Sequence, residues 1–200
     1  MFANVQIFLL LCSQKNIPHI MYGIVNKAIQ ELIETQYGIN TWEKVRNNAR
    51  IEDEIFLSNQ VYDDTVTFTL ATSAAMVLSI SLESFLIALG EYWILETGQR
   101  HYNHYMIAGG ANLKEFLINL PHFHTRIKLI YNELRPPEFE ISDIKENSLR
   151  IHYFSTRTGL TQFVVGLLYG VGKMFNQEIK VMVESVEQDG NIHDVFLINW

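Results

Sequence analysis

The sequence predicts an α+β protein: a helical N-terminal subdomain followed by a four-stranded antiparallel sheet with a helix between its two hairpins. Apolar residues recur at the helical period of about 3.6 as far as the segment Arg135-Pro136-Pro137, which ends a helix. Beyond it they alternate with polar residues, as strands do. With 200 residues, 48% of them hydrophobic, the chain can bury a core as one domain or two small ones.

The chain begins with a segment, residues 1–20, that differs from the rest by its apolar and almost uncharged composition. We interpret it as an N-terminal extension of uncertain role or as a misassigned start, because terminal segments are often dispensable. The domain itself is expected over residues 21–200. Its first helix is predicted to open at Met21, with apolar residues on one face, and to end at Gly38.

Capping residues mark further helices in the N-terminal subdomain. Asp63 or Asp64 is a good N-cap, Ser81 begins the next helix, and Asn112 with Glu115 forms a capping pair after two glycines. Pro121 is expected to restart a helix, since proline is tolerated at the first helical position. The predicted segments are 41–49, 51–57, 63 or 64 to 78, 81–98, a helix opening near 112, and 122–134.

The C-terminal part is predicted to contain two hairpins around one helix. Alternating apolar and polar residues mark the strands, and polar or glycine-containing turns separate them. The predicted strands are 139–141, 149–155, 179–186 and 195–198, with turns at 146–148 and 189–191 and a helix over 160–175.

Charge and cysteine content narrow the classes of function. The chain has 22 acidic and 15 basic residues, a net charge of −7, which argues against nucleic acid as a partner. The single cysteine, Cys12, cannot form an internal disulfide or a cysteine-based metal site, and it fits a cytoplasmic location. No segment reaches the roughly 18 consecutive apolar residues of a membrane helix, and no basic residue precedes the first apolar stretch as in a signal peptide. We therefore expect no membrane partner.

Tyr153, Ser155 and Arg157 are the first candidates for a binding site. They lie at i, i+2 and i+4 at the end of a predicted strand, so strand geometry would place them on one side of the sheet. A phenol, a hydroxyl and a guanidinium together can bind a pair of carboxylates or a phosphate. On spacing alone, an ordinary solvated strand face remains the stronger interpretation.

The seven histidines are candidates for metal binding. Neither His101 with His104 nor His122 with His124 has the neighbouring ligands of a zinc site. On a helix, His122 and His124 are about 200° apart, so only one of them can face a given pocket. A hydrogen-bonded or exposed histidine is the more common case.

The order of five motifs resembles the H-NOX family of haem-binding nitric oxide and oxygen sensors. These motifs are MYGIVNKA at 21–28, GEYW at 90–93, FLINLPHFH at 116–124, RPP at 135–137 and YFSTR at 153–157. The resemblance covers residues 21–200 and is greatest to stand-alone bacterial members, particularly cyanobacterial ones, which are related to the haem domain of soluble guanylate cyclase. It implies haem b held between the helical subdomain and the sheet, in a ligand-binding sensor and not an enzyme.

The resemblance also implies roles for individual residues on the proximal side of the haem. By position, His124 matches the ligand of the haem iron, whereas His122 matches no ligand position. Tyr153, Ser155 and Arg157 match the clamp on the haem propionates. Pro137 matches the proline that presses on the macrocycle and distorts it.

On the distal side, the resemblance implies that Met21 and Val25 lie near the haem edge or the gas. Phe163 occupies the position at which oxygen-binding members have a tyrosine, so the pocket lacks that donor and favours nitric oxide over dioxygen, with carbon monoxide as a further ligand. Two donors keep dioxygen open as a ligand: the indole of Trp93, which the family often places near the distal side, and Gln162 next to Phe163.

The implied mechanism is a two-state switch. Nitric oxide weakens the bond between iron and His124, the haem relaxes against Pro137, and the helix carrying His124 shifts relative to the sheet. The effector is expected to be a separate histidine kinase or diguanylate cyclase. The alternatives are an oxygen-binding or haem-storage protein and, in another class, an enzyme that binds an anionic substrate at Tyr153, Ser155 and Arg157 with a histidine as acid–base group.

Overall fold

The computed structural model describes residues 20–52, 55–130, 136–188 and 190–200, and within them not the side chains of 124, 127–130 and 188. Most of the predicted extension, Cys12, the predicted helix end at Leu134 and the turn residue Asp189 lie outside the described residues. The described chain forms two compact units. Unit 1 contains the residues up to Leu89 together with Arg157–Leu160, and unit 2 contains Gly90–Thr156 and Thr161–Trp200.

Unit 1 is helical with a two-stranded sheet. Its elements are β1 (Ile20–Tyr22), α1 (Gly23–Tyr37), α2 (Ile39–Ala49), β2 (Val61–Asp63) and α3 (Asp64–Leu78), with β1 antiparallel to β2. Asp63 caps α3 by accepting a hydrogen bond from the backbone N–H of Thr65 at 2.8 Å, which confirms the predicted start of this helix. Buried aliphatic side chains of α1 and α3 form the core of the unit.

Two predictions for unit 1 were wrong. Met21 lies in β1, and the helix begins only at Gly23, where a Cβ would lie 2.2 Å from the carbonyl oxygen of Leu57. Only glycine allows this close approach. The helix predicted over 51–57 does not form in the described part of that segment, because Arg50 adopts a left-handed conformation (φ 55°) that ends α2.

A long helical region leads from unit 1 into unit 2. Helix α4 (Leu82–Tyr92) passes into a π-helical turn (Trp93–Gly98) and continues as α5 (Gln99–Ile107). The predicted helix end at Gly98 was therefore wrong: the residue has φ −63° and ψ −47°, which is ordinary helical backbone. A glycine ends a helix when it takes the left-handed conformation, and this one does not.

Helix α6 (Leu113–Ile130) carries the motif at 116–124. The predicted capping pair is confirmed, because Asn112 accepts from the backbone N–H of Glu115 at 3.0 Å and Glu115 accepts from that of Ala111 at 2.9 Å. The prediction that Pro121 starts a helix was wrong. Pro121 lies inside α6, since the capping pair has already started the helix two turns earlier.

The C-terminal part of unit 2 is the predicted four-stranded antiparallel sheet. Its strands are β3 (Glu138–Ser142), β4 (Ser148–Phe154), β5 (Lys180–Gln188) and β6 (Asn191–Asn199), in the order β3-β4-β6-β5, with α7 (Thr161–Met174) between the hairpins. Leu149 and Ile151 of β4 lie opposite Ile198 and Phe196 of β6, and all four side chains are buried. The strand alternation read from the sequence is confirmed.

Within the described ranges, no single helix is long and apolar enough to cross a membrane. The helices Asp64–Leu78 and Leu82–Ile107 meet the length and composition requirement only when they are counted together, and they are bent by 111° relative to each other.

Candidate functional site

Arg157 lies in the loop between β4 and α7 and belongs to unit 1. Its Nε donates to Oδ2 of Asp64 at 3.0 Å, and its Nη2 donates to the carbonyl oxygen of Ile20 at 2.8 Å. The side chains of Arg157 and Asp64 are only 10% and 5% exposed. The guanidinium is thus held by a nearly buried ion pair and a backbone acceptor.

Asp64, the ion-pair partner of Arg157, is a residue of the candidate site that sequence reasoning missed. The two consecutive acids at the start of α3 were both read as possible caps, but one helix start needs one N-cap. Asp63 serves as the cap, and Asp64 is the first residue of the helix. The sequence did offer a signal: because one of the two acids serves as the cap, the other can pair with a different group.

Tyr153 and Ser155 belong to unit 2. Tyr153 is 6% exposed on β4 and packs against the rings of Phe139 and Phe196, with centroids 5.5 Å and 6.0 Å away. Ser155 follows the last residue of the strand, Phe154. Because β4 ends before Ser155 and Arg157, strand geometry alone does not place the three side chains on one face, and the clamp stays a prediction.

A cleft of about 880 Å³ lies within unit 2. Pro137 and Ser155 line it, as do Pro121 and Thr125, which flank position 124 on α6. The side chain of His124 lies outside the described residues. The cleft therefore brings Pro137 and Ser155, two residues of the sequence-predicted site, to the turn of α6 that carries position 124. Its remaining lining residues are Pro136, Glu138, Phe139, Glu140, Phe154, Thr156, Asn191, Ile192 and His193.

Trp93 and Phe163 meet in another part of unit 2. Their rings are 6.4 Å apart and nearly perpendicular, in an edge contact between the π-helical turn and α7. The backbones come close beside this pair, since a Cβ on Gly90 would lie 2.3 Å from the carbonyl oxygen of Phe163. Gln162, the neighbour of Phe163, is half-buried.

Val25 and Met21 lie in unit 1, where both are half-buried. Val25 is on α1 and Met21 is in β1. Next to Val25, the fully buried Asn26 accepts a hydrogen bond from the hydroxyl of Thr67 at 2.6 Å. This hydrogen bond joins α1 to α3 in the core of the unit.

The other histidines lie apart from these residues. His101, His104 and His122 are exposed. On the sheet, Nδ1 of His152 lies 2.9 Å from Nε2 of His193, and Nε2 of His152 lies 2.8 Å from the hydroxyl of Ser142. Burial and the neighbouring His193 lower the pKa of His152 from its ordinary value of 6.5.

The family model described as Haem-NO-binding matches residues 22–183. This chain belongs to that family, the H-NOX family. H-NOX domains bind haem and gases such as nitric oxide; they are sensor modules related to the haem domain of soluble guanylate cyclase and are not catalytic themselves. The resemblance read from the five motifs is confirmed.

Several curated relatives are guanylate cyclases. Soluble guanylate cyclase gcy-32 of Caenorhabditis elegans is 29% identical over 192 residues, which are 90% of this chain and 28% of the relative. Soluble guanylate cyclase gcy-37 of the same organism is 30% identical, over 84% of this chain and 24% of the relative. The H-NOX chain thus spans about a quarter of the length of these relatives.

Solved structures agree on the fold. The H-NOX protein from S. oneidensis in the Fe(II)NO ligation state has a TM-score of 0.78 at 19% identity, over 90% of this chain and 98% of that one. The unliganded Fe(II) A71G mutant of the K. algicida H-NOX protein has a TM-score of 0.77 at 24% identity, over 90% and 96%. Both support the mixed helix and sheet architecture predicted from the sequence.

Proposed function

We propose that this H-NOX domain senses nitric oxide through a ferrous haem b bound by His124 and signals to a separate effector protein. The observation that carries the proposal is the cleft in which Pro137 and Ser155 meet the turn of α6 around position 124. Its volume lies within the range of about 300–1,000 Å³ common for small-molecule and cofactor sites. Prolines and phenylalanines in its wall suit the apolar body of a porphyrin.

The polar ends of the haem require donors for its carboxylates. The phenol of Tyr153 and the hydroxyl of Ser155 would donate to the propionate oxygens, and Arg157 would add a positive charge. The buried ion pair with Asp64 keeps the Arg157 guanidinium in one place. We therefore assign Asp64 as a positioning residue for the clamp.

A haem bound through His124 would supply an iron coordination position for a diatomic gas. Phe163 has no hydrogen-bond donor, which supports nitric oxide and carbon monoxide over dioxygen as ligands. The indole N–H of Trp93, whose ring contacts Phe163, favours an oxygen-binding haem protein as the second candidate.

Helix α6 contains a proline that interrupts its backbone hydrogen bonds. Its N-terminal half is anchored by the buried Leu113, Phe116 and Leu117. Pro121 then removes the N–H that would bond the carbonyl of Leu117, and the hydroxyl of Thr125 donates to the carbonyl of Pro121 at 3.1 Å. Pro121 thus leaves one backbone hydrogen bond fewer between the N-terminal half of α6 and the turn that carries position 124.

The interrupted backbone at Pro121 suggests how gas binding could reach a partner protein. A change in the pull on His124 would move the C-terminal half of α6 against the adjacent start of the sheet, while the N-terminal half stays in place. A partner protein reads such a change if it binds the two arrangements with different affinity, typically by about 1–3 kcal/mol. A histidine kinase or a diguanylate cyclase would be that partner.

The test is the optical spectrum of the ferrous protein before and after addition of nitric oxide. We expect the wild type to take up hemin and to change its Soret band with nitric oxide. The variant His124→Ala should lose the band unless free imidazole is supplied, whereas His122→Ala, on the same helix, should retain it. A colourless wild type, or an unchanged spectrum in His124→Ala, would contradict the proposal.

A further inference from the structure

Strand β5 is an exposed edge of the four-stranded sheet. It extends over nine residues, Lys180–Gln188, and pairs on one side with β6 and on the other with no strand of the described chain. In an antiparallel pair, the backbone N–H and C=O groups of alternate residues point toward the neighbouring strand, and those of the other residues point away. The outer side of β5 therefore presents a row of backbone donors and acceptors.

The opposite edge of the sheet, β3, has the features by which proteins keep an edge from pairing. It extends over only five residues, follows Pro136 and Pro137, and has a glutamate at its first and third positions. Strand β5 has charged side chains but contains no proline, and its register with β6 is continuous over all nine residues, without a bulge. A long and regular edge of this kind can accept another strand.

Apolar side chains are exposed along the same edge. Met182 is 53% exposed and Val183 is 37% exposed. Because the two residues are consecutive in a strand, their side chains lie on opposite faces of the sheet. A strand added along the edge contacts both faces of β5 at once, so it would cover both side chains.

A second copy of the chain can pair with this edge through its own β5. Two antiparallel strands related by a two-fold axis place one residue opposite itself, because opposite residues share a face of the sheet. A pairing centred on Met182 places Lys180 of each copy opposite Glu184 of the other. On the other face, it places Val181 opposite Val183. Pairs of opposite charges and apolar pairs directly across a ladder both stabilise a sheet.

The other centres within β5 fit less well. Centring on Glu184 sets that residue against its own copy, and centring on Val181 sets it against Glu178. Centring on Val183 gives Lys180 no acidic partner. Of the possible centres in the strand, only Met182 brings a lysine opposite a glutamate. The charges along β5 are therefore complementary to a second copy of the same strand in one register.

We propose that β5 is a self-association surface through which two copies of this chain pair edge to edge, antiparallel and centred on Met182. The pairing would join the two four-stranded sheets into one and satisfy the outward backbone groups of both edges. Glu184 is 52% exposed, 3.5 Å from Arg150, and stays accessible to Lys180 of the other copy. No residue of β5 is among those that line the cleft, so the surface is distinct from the proposed haem site.

Sedimentation velocity of the full chain over a range of concentrations tests the proposal through charge reversals. Lys180→Glu and Glu184→Lys each replace two pairs of opposite charges by pairs of like charges, which should raise the dimer dissociation constant about tenfold. A mixture of the two variants should dimerise like the wild type, because each pair then joins a glutamate to a lysine. The matched control is Glu187→Lys on the same strand, which lies opposite the uncharged Gln177 in this register and should leave dimerisation unchanged.

A wild type that stays a monomer overturns the inference and leaves the edge to residues 1–19 or to another protein. Dimerisation that neither reversal weakens, or that the mixture fails to restore, assigns the interface to another surface and also overturns it. Restoration in the mixture excludes misfolding of the variants as the cause of their weaker dimerisation. The wild type is measured with and without haem, so a failure to bind haem would contradict the proposed function and leave this inference standing.

Discussion

Two arginines near the ends of β4 show what burial does to an ion pair. Arg150, in the strand, is 34% exposed and pairs with two carboxylates, Asp143 at 3.1 Å and Glu184 at 3.5 Å. Arg157, beyond the strand, is 10% exposed and pairs with Asp64 at 3.0 Å. Water hydrates and screens the first cluster, but it has little access to the second. We therefore expect that removal of the buried arginine costs more stability than removal of the more exposed one.

The largest effect is expected from Arg157→Ala. Removal of one member of a buried pair leaves Asp64 as a buried charge without its cation, which typically costs about 3–5 kcal/mol of unfolding free energy. Urea unfolding of the wild type and the variant measures the difference. Arg157→Lys should recover part of the loss, since lysine restores the positive charge but not the planar guanidinium with its several N–H donors. A loss below about 1 kcal/mol would place Arg157 in the same class as Arg150.

A smaller effect, dependent on pH, is expected from His152 next to Arg150. Burial, His193 and Arg150 lower its pKa, in that order, while Glu140 and Asp143 oppose the shift. The unfolded chain therefore takes up the proton first as the pH falls below about 6.5, so the stability of the folded state decreases below that pH. Above that pH, the imidazole is neutral in both states and makes no such contribution.

The variant His152→Gln tests this expectation. Urea unfolding between pH 8 and pH 5 should show a shallower loss of stability in the variant than in the wild type. Equal slopes would mean that His152 does not carry the effect.

The smallest effect is expected from Arg150→Ala. An exposed ion pair contributes about 0–1 kcal/mol even with two acceptors, because hydration and side-chain entropy offset the attraction. The difference from wild type should decrease further when salt is added. A salt-independent loss comparable to that of Arg157→Ala would refute the ranking of the two arginines.

Much of the fold was predictable because its signals are local. The Asp63 cap, the Asn112 and Glu115 pair, and the alternation along β4 each depend on residues a few positions apart. The same holds for the five family motifs, each of which is a short contiguous stretch of the sequence. The roles of His124, Pro137 and the Tyr153, Ser155 and Arg157 clamp stay predictions carried by that resemblance.

By itself, the sequence determined the α+β class, the capped helices, the hairpins and the family, since these follow from short-range periodicity and spacing. The carboxylate that pairs with Arg157 is set by packing, because Asp64 is 93 residues away along the chain. Packing also places Pro121 inside α6 and not at its start. Partners distant in sequence, and departures of the backbone from regular geometry, depend on packing that no local pattern encodes.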